Sequence, residues 1–247
     1  MIFRWLPLLG LFTASVLAQT APESMRIFLL IGQSNMAGRG AVEPQDKVPH
    51  PRIFALNEKL DWVPAVDPLH FDKPKVAGVG PGMGFARAVA EAQPTTVIGL
   101  VPAAVGGTSL DEWKVGGKLY IDAVRRAKVA LQRGHLAGIL WHQGEGDSNA
   151  QKAATYSARF AVMIAQLRKD LNAPDVPVIV GETGRFRPTG AAINAALATV
   201  PQAVPRCAFV SSEGLTDRGD HLHFNSASQR EFGRRYAAAW LKLESAP

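Results

Sequence analysis

Cysteine is all but missing from this chain: Cys207 is the only one in 247 residues. No intramolecular disulfide can form, so the fold has to be held by its core. The lone thiol lies in the apolar run Cys207-Ala208-Phe209-Val210 and reads as a buried, inert side chain rather than a nucleophile. Long hydrophobic runs are lacking too. Trp5 to Ala18 is the one candidate, and it is too short to cross a bilayer. With Arg4 before it and the small-residue site Val16-Leu17-Ala18 at its end, it reads as an export signal at 1–18. Residues 19–247 then form one domain, expected in the periplasm or outside the cell and free of the membrane once the signal is cleaved. Acidic residues are in deficit, 21 against 27 basic ones, for a formal charge of +6. The basic residues are dispersed, as at Arg125, Arg126, Lys128 and Arg133, or at Arg230, Arg234 and Arg235, on what read as polar helix faces. A solvated surface is the expectation, and nucleic acid is not an expected partner. A phosphate-binding loop is absent as well. Gly78-Val79-Gly80-Pro81-Gly82-Met83-Gly84 is rich in glycine, but no Gly-Lys-Ser/Thr follows and position 85 is Phe.

What the chain does have is an alternation of short buried strands and amphipathic helices. Ile27 to Ile31, Thr96 to Val101, Leu136 to Trp141, Val176 to Val180 and Ala208 to Ser211 are uninterrupted apolar runs of strand length. Arg52 to Asn57 is a shorter candidate, with Trp62-Val63 at its margin, and 64–84 reads as a long loop. Helices are predicted over 84–93, over 118–133 with Gly134 closing it, over a stretch in which Tyr156, Phe160, Ile164 and Leu167 share one face, and over 190–200. A last one opens at Ser226-Ala227-Ser228-Gln229 and turns Phe232, Tyr236, Trp240 and Leu243 to the core. The economical architecture is α/β: a single three-layer, doubly wound domain around a central parallel sheet.

In such a sheet the carboxyl ends of the strands share one edge, and here they carry polar, glycine-rich sequence. The first strand empties into Gly32-Gln33-Ser34-Asn35, where Gly32 permits a sharp turn and Ser34 is presented at the strand end. Near the carboxyl terminus, Asp220 stands three residues before His223 in a loop. A carboxylate so placed can fold back on one imidazole nitrogen and leave the other to face a serine, which is a poor nucleophile until a base takes its proton. Ser34, Asp220 and His223 can therefore form a triad in that chain order. Donors for the resulting oxyanion would be the Ser34 N–H, a Gly106 or Gly107 N–H, and the Gln143 side-chain amide. His221 competes with His223, but only His223 follows an acid by three.

Gly-Gln-Ser-Asn-Met-Ala-Gly at 32–38, Gly-Gly-Thr-Ser at 106–109 with Glu112-Trp113 behind it, Trp-His-Gln-Gly-Glu at 141–145 and Asp-x-x-His at 220–223 together resemble the SGNH-hydrolase superfamily. Within it they are similar to the carbohydrate esterases that include acetylxylan esterases and the sialic-acid-specific O-acetylesterase domain. The resemblance implies a flavodoxin-like fold, Ser34 as nucleophile, His223 as base, Asp220 as its orienter, and an oxyanion hole of Ser34, Gly107 and Gln143. It implies an exported serine esterase that removes acetyl groups from carbohydrates through an acetyl-serine intermediate, with no metal and no cofactor. Asn35 is expected to bond locally within the turn, and Glu145 to tie the Gln143 loop to backbone donors. Trp62 and Trp113, set among polar neighbours, are candidates to stack on a sugar ring. The alternatives are a general short-chain esterase or thioesterase, a carbohydrate-binding relative without turnover, and a metal hydrolase using His221, His223, Asp220 and His142. The last of these leaves the Ser34 turn unexplained.

Overall fold

Alternate residues of the first apolar run enter opposite sides of the molecule. In a computed structural model, which describes residues 24–245, Ile27, Leu29 and Ile31 join one core cluster while Phe28 and Leu30 join another. A strand covered on both faces has no solvent side, which is why its sequence carries no polar alternation. The export signal expected at 1–18 lies outside the described residues.

Seven strands form the sheet: β1 (Met25–Gly32), β2 (Ile53–Leu56), β3 (Trp62–Pro64), β4 (Ile98–Pro102), β5 (Gly134–His142), β6 (Val178–Gly181) and β7 (Cys207–Val210). Their order is β3-β2-β4-β1-β5-β6-β7. All neighbours pair in parallel except β2 and β3, which are antiparallel, so the sheet is mixed only at that edge. Helices α3 (Lys118–Ala130), α4 (Ala150–Asp170) and α5 (Ala191–Ala203) cover one face, through Tyr120, Phe160, Ile164 and Leu197 among others. Helices α2 (Pro81–Ala92) and α6 (Ser226–Glu244) cover the other with Phe85, Val89, Phe232, Tyr236 and Trp240. This is the three-layer α/β arrangement. β1 lies between β4 and β5, where the winding of the chain changes direction, and the crevice outside such strand ends is where α/β sheets place ligands.

The structure corrects several local expectations. Helix α2 begins at Pro81, inside the stretch read as loop, because proline suits the first helical position, where no N–H partner exists. The helical stretch expected over 118–133 is α3 followed by a 3-10 turn over Leu131–Arg133, and Gly134 is the C-cap that closes it. It is also the first residue of β5, in extended backbone, and a side chain there would overlap the Met25 carbonyl. The N-cap of α6 is Asn225, whose side chain accepts from Ser228 N at 2.9 Å, while Ser226 Oγ donates to Ala41 O. Arg126, read as solvated, is 1% exposed and donates to the carbonyls of Pro102, Leu56 and Asn57. Burial pushes the Cys207 thiol up to about 12, in keeping with an inert side chain.

The connection from β3 to α2 is anchored by buried polar groups. Asp67 is 3% exposed, and its Oδ1 has no hydrogen-bond partner. Burial, reinforced by the neighbouring Asp46 carboxylate, raises its pKa to about 8. In the unfolded chain an aspartate loses its proton near pH 3.9, while the folded chain keeps this one to about pH 8. Folding therefore takes up a proton between those values, and stability falls as pH rises through that window, by at most about 1.4 kcal/mol per pH unit. Asp67→Asn is expected to remove this slope and to raise the melting temperature most near pH 8. Melts from pH 5 to pH 8 check it; a variant whose melting temperature tracks the parent across the range overturns it.

Candidate active site

The turn after β1 is built on Gly32, whose φ of +127° few side-chain-bearing residues adopt and whose Cα faces the His142 carbonyl of β5 too closely for a Cβ. Gln33 N donates to that same carbonyl at 2.8 Å, and Ser34 opens the single-turn helix α1 (Ser34–Ala37). The Ser34 side chain thus stands at the carboxyl end of the sheet, 6% exposed, in the wall of a cavity of about 520 Å³.

The loop before α6 folds back through a bridge between Asp217 and Phe224, and Arg218 N donates to His223 O. Asp220 Oδ1 accepts from the backbone N–H groups of Leu222 and His223 at 3.0 and 2.8 Å, and its Oδ2 faces His223 Nδ1 at 2.7 Å. Partial burial works against ionisation of this carboxyl, but the hydrogen bonds from His223 and Leu222 outweigh it and hold the pKa at about 2. An ionised Asp220 accepts the proton on Nδ1. The lone pair of Nε2 is then left to accept from Ser34 Oγ, 3.0 Å away. The three residues named from the sequence are brought into one line, and this line can draw the proton off Ser34.

Asn35 does more than hold its own turn. Its Nδ2 donates to Glu145 Oε1 at 2.6 Å and to Leu222 O at 3.1 Å, and its Oδ1 accepts from Phe224 N at 3.1 Å. It therefore grips the backbone on both sides of His223. Glu145 pairs with this side chain rather than with backbone donors, and its Oε2 is buried without a partner. His142, 3.9 Å from Glu145 Oε1, is fully buried, and burial holds its imidazole below the ordinary range. His221 turns away to Asp217, with most of its side chain exposed, while His223 faces Ser34. Of the four groups of the metal alternative only Asp220 and His223 stand together, and among the described residues no cluster of three or more His, Cys, Asp or Glu is placed to hold a metal ion.

The expected oxyanion donors divide. The N–H groups of Ser34 and Gly107 have no hydrogen-bond partner among the described residues, and both residues line the cavity; Gly107 has φ +82°. Gly106 N is taken, donating to Asp72 Oδ2 at 2.8 Å. Gln143 is taken as well, which corrects the expectation. It is fully buried, with Nε2 donating to Asp147 Oδ2 at 2.8 Å and Thr108 O at 3.2 Å and Oε1 accepting from the Tyr156 hydroxyl at 2.7 Å. Both tryptophans are also corrected. Trp113 is 1% exposed, packs edge-on against Trp141 and donates to Thr108 Oγ1. Trp62 lies on the edge strand β3 with its ring against Gly99, away from the cavity wall.

Two contributors carry no sequence signal of their own, and a third, Gln33, lies in the 32–38 block beside Ser34. Asp72, in the loop read as structureless, holds Gly106 N and the Arg39 guanidinium on one oxygen, its side chain 1% exposed. Gln33 lines the cavity with an amide nitrogen that has no partner among the described residues. Arg187 reaches the same wall from the loop between β6 and α5.

The family model described as carbohydrate esterase, sialic acid-specific acetylesterase, matches residues 24–242 of this chain. A probable carbohydrate esterase of Arabidopsis thaliana is 36% identical over 236 residues, covering 87% of this chain and 90% of that protein. The X-ray structure of the Arabidopsis thaliana protein superposes with a TM-score of 0.83 at 34% identity, covering 90% of this chain and 99% of that one. NanS shares the fold at 21% identity, with a TM-score of 0.74 over 91% of this chain and 98% of its own. So does a carbohydrate acetylesterase from Xanthomonas citri, at 20% identity and a TM-score of 0.67, over 87% of this chain and 55% of that one.

Proposed function

This chain belongs to the sialic acid-specific acetylesterase family of carbohydrate esterases, hydrolases that act on esters, and on that premise we propose that it removes O-acetyl groups from carbohydrates by a serine mechanism. The observation that carries the reading is the unbroken line from Asp220 Oδ2 through His223 to Ser34 Oγ, with steps of 2.7 and 3.0 Å. Ser34 Oγ attacks the acetyl carbonyl as its proton passes to His223 Nε2. The imidazolium is stabilised by Asp220, which remains a carboxylate, and returns the proton to the departing sugar oxygen. Water, deprotonated by the same nitrogen, then cleaves the acetyl-serine and releases acetate. The N–H groups of Ser34 and Gly107 receive the oxyanion, and the Gln33 amide is the third donor available in the cavity wall. The arrangement draws on no metal or cofactor.

A serine-directed phosphonyl fluoride tests this reading. It is expected to add once per chain, at Ser34, and to abolish acetate release from an O-acetylated sugar. Full activity after stoichiometric labelling, or a label on another residue, contradicts it. Export belongs to the same reading: a leader at 1–18 is cleaved and residues 19–247 act in the periplasm or the medium. Among the described residues no helix is long and apolar enough to cross a membrane.

The Gly107 N–H owes its direction to Asp72, which fixes the preceding peptide by accepting from Gly106 N. In Asp72→Ala the single oxygen that accepts from both Gly106 N and Arg39 is gone. The variant is expected to lose about tenfold to a hundredfold in kcat on an activated acetyl ester, with KM little changed, since the misplaced donor serves the transition state. A rise in KM at constant kcat would instead assign Asp72 to substrate binding.

A further inference from the structure

The positive charge that looks dispersed in the sequence is collected by the fold along one side of the site. Arg39, Lys73, Arg187 and Arg218 all line the Ser34 cavity. A second cavity, of about 490 Å³, shares Arg39, Val76 and Arg218 with the first and adds Lys75; its wall contains no carboxylate. It holds none of the groups that act on the ester, so the reaction at Ser34 gives it no role. Each cavity is of the size typical of a cleft for one small ligand.

The acids of the first cavity are committed elsewhere. Asp220 holds His223, and Glu145 accepts from Asn35. Arg39 is neutralised by Asp72 at 2.7 Å, and Arg218 lies 3.7 Å from Asp220. Lys73, Lys75 and Arg187 form no ion pair among the described residues. Arg187 Nη1 is moreover shut off from solvent without any hydrogen-bond partner. Arg187 lines the first cavity, so its positive charge adds to that of Lys73 there. Val76, 51% exposed on the wall common to both cavities, offers an apolar surface for the face of a sugar ring.

We infer that the two cavities are consecutive subsites for an acidic oligosaccharide. The O-acetylated unit lies over Ser34, and a neighbouring unit that carries a carboxylate lies against Lys75. The inference rests on the reading of the Ser34 site as a carbohydrate O-acetylesterase and adds the class of chain it works on.

The test uses O-acetylated uronic-acid oligomers of one to four units and the same oligomers with their carboxyl groups reduced to alcohols, alongside a small activated acetyl ester. In the acidic series kcat/KM is expected to rise from one unit to two and to exceed that of the reduced series, with the gap closing as salt is added. Lys75→Glu is expected to lower the acidic-to-reduced ratio by about fivefold to tenfold. Equal rates for the two series, or no gain beyond a single unit, overturn the inference while cleavage of the activated ester leaves the esterase reading standing. Failure to cleave even that ester removes the esterase reading, and the subsite proposal with it.

Discussion

Ser34→Ala is expected to release acetate from a small activated acetyl ester at least about 10⁴-fold more slowly than the parent chain, with and without a chelator present. The size of the effect follows from what alanine leaves behind. His223, Asp220 and the Gly107 N–H keep their places, because Ser34 Oγ makes its contact with His223 and supports no other side chain. The fold should be unaffected, since Ser34 contributes little to the core beside Met36 and Ala37 of the same turn. Binding and oxyanion stabilisation persist while the nucleophile is gone, so the residual rate reports what those terms supply without an acyl-enzyme. Acetate release that continues at the parent rate in Ser34→Ala would sink the serine mechanism. Activity lost to a chelator but not to the substitution would move the chemistry to a metal.

Gly32→Ala is expected to be the most damaging single methyl that can be added near the site. Two independent costs combine. The backbone there sits at φ +127°, and the added Cβ would overlap the His142 carbonyl, an atom of a central strand that also accepts from Gln33 N. Strain of the first kind costs about 1–3 kcal/mol, and forced repacking of the second kind a similar amount. A loss of about 3 kcal/mol or more is expected, which for a domain of this size lowers the melting temperature by about 6–12 °C. Because the turn that carries Ser34 hangs on this residue, the fraction that still folds should also hydrolyse ester poorly. A melting temperature within about 2 °C of the parent would show that β1 and β5 part at little cost.

Much of this arrangement is legible in one dimension. The apolar runs of β1, β4, β5 and β6 identify strands buried on both faces, and the three- and four-residue spacing of Tyr156, Phe160, Ile164 and Leu167 identifies the inner face of α4. Ser34, Asp220 and His223 could be named because each sits in a local pattern with its own chemical meaning: a glycine turn after a strand, and an acid three residues before a histidine. Their meeting at 3.0 Å or less then follows from the parallel sheet, which brings strand ends distant in sequence to one edge.

Other features depend on which side of a loop faces inward, and no local pattern encodes that. Gln143 has the chemistry of an oxyanion donor, but the packing of Asp147, Thr108 and Tyr156 around it spends its hydrogen bonds inside the core. Trp113 has the chemistry of a sugar platform, and the Trp141 ring beside it draws it into the interior instead. Asp72 sits in a stretch of prolines and glycines with no periodicity, so its grip on Gly106 exists only once that loop is laid across the sheet. The cations follow the same rule: Lys73, Lys75, Arg187 and Arg218 come from three separate loops and become neighbours only at the sheet edge. The sequence by itself determined most of the strands and helices and which residues could form the Ser34, Asp220 and His223 line, because those rest on short-range periodicity and spacing. The tertiary structure alone decided which polar groups remain free to meet a ligand, because a hydrogen bond or an ion pair is committed by whichever neighbour the fold brings within about 3 Å.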